Sequence, residues 1–72
     1  MEKKYKVLKE NTPIYETDIY ANWKIGEIVN YEEGAGEYNS CRTYTDREDS
    51  AYDVALGDFN QYVKNGFLEE IN

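Results

Sequence analysis

One stretch of the chain constrains its fold more than any other. Between Ser50 and Gly66, apolar or aromatic residues fall at Tyr52, Ala55, Leu56, Phe59, Tyr62 and Val63. Those offsets trace one face of a 3.6-residue helix. Ser50 followed three later by Asp53 resembles a capping box, although Glu or Gln is the usual partner there. Gly66, after Lys64 and Asn65, suits a left-handed helix terminus. The pattern predicts one helix near residues 51–64, and with it that Leu56→Pro unfolds the domain. Gly57 is the inconsistent residue, since glycine inside a helix costs about 1 kcal/mol relative to alanine. A rival reading makes Tyr52-Asp53-Val54-Ala55-Leu56 a strand, with Asp58 capping a short helical turn that runs through Tyr62.

Strand patterns surround this segment. In Tyr5-Lys6-Val7-Leu8-Lys9, Tyr5, Val7 and Lys9 point one way and Lys6 and Leu8 the other. Asn11-Thr12-Pro13 ends that strand, because proline cannot donate to a ladder. Ile14-Tyr15 and Asp18-Ile19-Tyr20 are short candidates for irregular or edge strands. Asn22 to Gly26 is turn-like, with Trp23 and Ile25 available to cap the core. Glu27 to Tyr31 reads as a second strand, Gly34-Ala35-Gly36 as a hairpin loop, and Tyr38 to Thr45 as a third strand. Asp46-Arg47-Glu48-Asp49 is a polar loop, and Phe67 to Ile71 the closing strand. Residues 1–72 thus form a single small domain. The expected class is α+β, a small antiparallel sheet of 3–5 strands with the helix before the last strand. The alternative is an SH3-like small β-barrel.

That alternative rests on a resemblance. Tyr5–Lys9, the acidic stretch Glu10–Lys24, the step Gly26-Glu27-Ile28-Val29 and the turn Phe59-Asn60-Gln61-Tyr62-Val63 follow one another as the parts of SH3-like domains do. The chain departs from that family in two places. Ser40-Cys41-Arg42 stands where SH3 domains carry paired tryptophans, and no proline precedes the helical turn. A proline-rich-peptide groove, which needs aromatic walls, is therefore not carried over. In overall style the chain is also similar to small accessory proteins of bacteriophages of AT-rich hosts. It opens on lysines, is rich in tyrosine and asparagine, and closes on the glycine-led strand Gly66-Phe67-Leu68-Glu69-Glu70-Ile71.

Composition narrows the chemistry. With no histidine, Ser-His, Cys-His and His-metal arrangements are excluded. Cys41 has Arg42 beside it, which can lower a thiol pKa, but no base to pair with, and the bland reading is a small buried hydrophobe. Glu32-Glu33 and Glu69-Glu70 are neighbours that point to opposite faces of a strand, so neither pair converges. An EF-hand register from Asp46 fails at Ala51, where glycine is wanted, and at Gly57, where glutamate is wanted. Gly34-Ala35-Gly36 lacks the rest of a phosphate loop and has an acidic flank. No catalytic residue, cofactor site or metal site is assigned, and the chain is read as not an enzyme. A single cysteine fits a reducing compartment. No apolar run is long enough to span a membrane, and no apolar signal core follows Met1-Glu2-Lys3-Lys4. A cytoplasmic protein is expected.

Charge is what remains. Fifteen acids stand against eight bases, a net of −7. Residues 1–9 carry four lysines and one acid, whereas residues 10–63 carry twelve acids and three bases, a net of −9. Lys3, Lys4, Lys6 and Lys9 with Tyr5 would give at most weak, salt-sensitive contact with phosphates, so direct nucleic-acid binding is not expected. One reading of the acid is solubility. The sharper reading is an interface: Asp46, Glu48, Asp49, Asp53 and Asp58, with Tyr44 and Trp23 as anchors, resemble the phosphates and base edges of nucleic acid. Tyr20, Tyr38 and Tyr52 are further anchor candidates, with core filling as the alternative. Such a chain would be an inhibitor occupying a basic surface of a nucleic-acid-handling protein, as phage counter-defence proteins do. The alternative is an SH3-like interaction or structural module, with a homo-oligomer left open.

Overall fold

Alternation of apolar and polar residues builds most of the described regular structure as antiparallel sheet. A computed structural model of the chain describes residues 2–14, 19–33 and 40–71. Its elements are β1 (Glu2–Val7), β2 (Pro13–Ile14), β3 (Ile19–Tyr20), β4 (Ile28–Glu33), β5 (Ser40–Tyr44), β6 (Tyr52–Ala55), α1 (Leu56–Lys64) and β7 (Leu68–Ile71). Five strands form one sheet in the order β6-β5-β4-β1-β7, and β2 with β3 forms a separate ribbon. Every neighbouring pair is antiparallel. The class is α+β with one helix before the last strand. The sheet is not closed into a barrel: β6 and β7 are its two ends. The Gly34-Ala35-Gly36 loop, Tyr15, Asp18 and Tyr38 lie outside the described residues.

The register assigns each side chain a face. Tyr5 pairs with Val29, Lys3 with Tyr31, Cys41 with Val54 and Thr43 with Tyr52. On this inner face Tyr5, Val7, Val29, Tyr31, Cys41 and Val54 are all buried. The alternate residues, Lys4, Lys6, Arg42 and Asp53, face solvent. The helix lays Phe59 and Tyr62 onto the inner face. Phe59 is the hub: its ring stands edge-on to Tyr5 with centroids 4.9 Å apart, and 4.7 Å from Tyr31. Such contacts add about 0.5–1.5 kcal/mol each beyond the area they bury. The Tyr62 hydroxyl donates to the Pro13 carbonyl and ties the helix to β2. Burial pushes the Tyr5 and Tyr31 phenols above their ordinary values, with Glu70 and Cys41 the next causes respectively.

The expected helix over 51–64 is corrected at its start. Residues 52–55 are strand, and α1 begins at Leu56. Val54 explains the difference. The helical stripe leaves it on the polar side, whereas a strand turns Val54 inward opposite Cys41 and Asp53 outward opposite Arg42. Val54 is 2% exposed, so burial of a branched side chain beside β5 outweighs one more helical turn. Ser50 accordingly caps nothing; Ala55 occupies the N-cap position and makes no side-chain bond there. Gly57 falls in the first turn, not the interior. Asp58 also sits in that turn, where a carboxylate complements the helix dipole. Proline is tolerated at a first helical position, so Leu56→Pro no longer discriminates the helix.

The other end of α1 follows the sequence. Gly66 has φ +81, its N–H donates to Val63 O at 3.2 Å and the Phe67 N–H to Tyr62 O at 2.9 Å. This pair of bonds is a Schellman closure. Lys9 Nζ reaches across from the end of β1 to Asn65 O at 3.2 Å and lies 5.4 Å over the Phe67 ring. Two expectations at residues 22–26 separate. Trp23 is 1% exposed and caps the core, while Ile25 is 62% exposed and does not.

Candidate functional site: an acidic hairpin tip

The tip between β5 and β6 is organised by one small side chain. Thr45 N–H and Thr45 Oγ1 both donate to Ser50 Oγ, at 3.0 and 2.7 Å, and the Ser50 hydroxyl donates to Arg47 O at 2.7 Å. Asp49 completes the turn at φ +59, a left-handed conformation that aspartate adopts more readily than most residues.

A second set of bonds clamps the tip to residues 22–27. Trp23 Nε1 donates to Ser50 O at 3.1 Å from beneath. Asn22 Nδ2 donates to Asp49 O at 2.7 Å, and the Asn22 N–H donates to Tyr52 Oη at 3.1 Å. Arg47 closes the clasp. It forks onto Glu27 at 2.7 and 2.8 Å and donates to Asn22 O at 2.6 Å. Glu27 in turn accepts the Lys24 N–H at 2.5 Å. The Arg47 hydrogen bond holds the Glu27 carboxyl below the usual carboxylate range, against a smaller opposing effect of desolvation. Gly26, at φ +91, makes the sharp turn that brings Glu27 into place, and its N–H donates to Val7 O at 2.8 Å. Two irregular segments are thereby fixed to each other without regular secondary structure.

Because Arg47 is turned onto Glu27 and Asn22, it does not neutralise its neighbours. Asp46, Glu48 and Asp49 are exposed and make no ion pair among the described residues. Asp53 and Tyr44 stand on the outer face of the same hairpin and are engaged. Asp53 pairs with Arg42 at 3.4 Å, and Tyr44 Oη donates to Glu32 Oε1 at 3.3 Å. Five of the seven residues singled out from sequence thus lie on one hairpin. Asp58 lies beyond it on α1. Trp23 is the correction: it supports the tip from inside and offers a partner no surface. Of the further anchor candidates, Tyr52 is half-buried against Trp23 with ring centroids 5.8 Å apart, and Tyr20 is 63% exposed.

Other candidate features resolve without chemistry. Cys41 is fully buried, its thiol donates to Val54 O at 3.4 Å, and burial, with Asp53 and Glu33, pushes it up to about 11. Arg42 points to the opposite face and does not activate it. The lysines of β1 do not assemble with Tyr5, which is turned into the core. No group of three or more potential ligands that could hold a metal ion occurs among the described residues. No helix there is long and apolar enough to cross a membrane. No family model, no curated protein and no solved structure matches this chain.

Proposed function

We propose that this chain is a non-catalytic protein-binding protein whose acidic hairpin tip occupies a basic surface of a nucleic-acid-handling partner, in the manner of a phage counter-defence inhibitor. The observation that carries this reading is the clasp. Three exposed carboxylates, Asp46, Glu48 and Asp49, with no ion pair among the described residues, stand on a turn held by Ser50, Trp23, Asn22 and Arg47. A surface that serves only solubility needs charge but no such fixation. A pre-ordered tip loses little conformational freedom on binding, and its field steers a basic partner to it.

The test is competition. Nucleic-acid-binding proteins from the source cell are passed over the immobilised chain at low salt. A protein held at the tip is displaced by excess duplex DNA or RNA and by raised salt. Capture indifferent to both competitors would sink the proposal. A second reading, a generic interaction module in a cytoplasmic setting, is favoured by the apolar side chains left exposed on β3 and in the turn after it. Exposed Ile19, Tyr20 and Ile25 are the contacts that reading would use. Capture abolished by Tyr20→Ser but not by competitor nucleic acid would select it.

A further inference from the structure

Asn65-Gly66 is the only Asn-Gly step in the sequence, and it sits at the closure of α1. In such a step the glycine nitrogen has no side chain to hinder its approach to the asparagine carboxamide. We propose that Asn65 is a fold-gated self-modification site, shut while the helix closure is intact and opened when it frays. The Gly66 nitrogen, on losing its proton, attacks Asn65 Cγ; a Gly66 N–Cγ bond forms, the Cγ–Nδ2 bond breaks, and ammonia leaves with that proton. Water then adds to one of the two imide carbonyls and that carbonyl's bond to the Gly66 nitrogen breaks, the nitrogen taking back a proton: cleavage at Cγ gives aspartate, and cleavage at the Asn65 main-chain carbonyl gives isoaspartate. No oxidant or cofactor enters.

Three native features shut the site. The Gly66 N–H is donated to Val63 O at 3.2 Å, so its nitrogen is not free to attack. Asn65 is held at φ −87 and ψ 3, a near-helical setting that swings the Gly66 nitrogen away from the side-chain carbonyl carbon. Lys9 Nζ holds Asn65 O at 3.2 Å and resists rotation of that peptide. Asn65 itself is exposed, so water is at hand once the closure opens. The reaction also has a structural consequence. Either product adds a negative charge at a helix C-terminus, where the helix dipole disfavours it. Isoaspartate also lengthens the main chain by one atom within the paired bonds that deliver Phe67 and β7 to the sheet.

The experiment compares one chain in two states. Wild-type protein is incubated in mildly alkaline buffer, native and in denaturant, and conversion at each asparagine is followed by peptide-mapping mass spectrometry. Local opening must precede the chemistry. Asn65 is expected to convert first in the unfolded chain and at least about tenfold more slowly in the native one, the factor that an opening cost of about 1.4 kcal/mol imposes. A native rate within tenfold of the unfolded rate overturns the gating. Another asparagine converting first in the unfolded chain overturns the site.

Discussion

The helix-side core and the hairpin tip are both well ordered, but by different physics. Around Phe59, the rings of Tyr5, Tyr31 and Tyr62 and several branched side chains are held by burial, with a long-range hydroxyl bond at Tyr62. Around Ser50 almost nothing apolar is involved apart from Trp23, and order comes from fixed donors and acceptors. Apolar burial is non-directional and tolerates adjustment. The buried bonds of Thr45 and Trp23 to Ser50 depend on each partner, because a buried group left unsatisfied loses its hydration without compensation.

The difference can be broken most forcefully on the core side. Phe59→Ala removes the hub of the ring cluster and should destabilise the domain by about 3–5 kcal/mol, near the whole stability of a domain this small. Equilibrium denaturation or loss of near-ultraviolet circular dichroism would register it. A loss under 1 kcal/mol would mean that Phe59 is not the hub.

Ser50→Ala comes next. It removes the acceptor of the buried Thr45 N–H and should cost about 1–3 kcal/mol. The effect should concentrate in the tip, so amide exchange at Thr45 and Arg47 accelerates more than exchange at Val29. Uniform acceleration would show that the tip and the sheet do not separate.

Gly57→Ala has the opposite sign. The glycine is exposed in the first turn of α1, a built Cβ meets nothing within 4 Å, and its φ is not positive. Alanine should stabilise by about 0.4–1 kcal/mol by restricting the unfolded chain, read as a raised denaturation midpoint. A lowered midpoint would contradict the helix start at Leu56.

The smallest effect belongs to the Arg47–Glu27 pair, whose groups are partly exposed and screened by solvent. Its sign is definite. Glu27 has a folded pKa below its ordinary value of 4.5, so the pair's contribution is present above that value. It is lost as pH falls through the lower folded value. Glu27→Gln should remove that acid-side dependence from tip exchange rates, and a variant with the wild-type profile would show that Glu27 does not set it.

How much of this was legible follows the same division. Tyr5 and Val7, Phe59 and Tyr62, and the Gly66 terminus are visible as alternation, helical spacing and glycine placement, because burial and backbone geometry write themselves into neighbouring residues. The start of α1 stays open between helix and strand in the sequence because Tyr52 and Leu56 satisfy both periods. Val54 settles the choice, since only the strand buries it. The clasp was not legible. The sequence places Glu27 among the acids ahead of the loop and Arg47 within it, twenty positions on, and no local pattern says that they meet. Asp46, Glu48 and Asp49 were visible as an acidic cluster. That Arg47 would be withdrawn from it, and that Trp23 would support it from inside, depended on the fold.

On the proposed function, the exposed carboxylates of Asp46, Glu48 and Asp49 are what a partner recognises. The direct measurement is partner binding by an Asp46→Lys, Glu48→Lys variant, with Asp49 and Asp53 untouched because the first is left-handed and the second is paired. With circular dichroism and melting matching the parent, capture at low salt should be lost, and the steep salt dependence of the wild type with it. Capture at wild-type strength by that folded, charge-reversed tip would contradict the account.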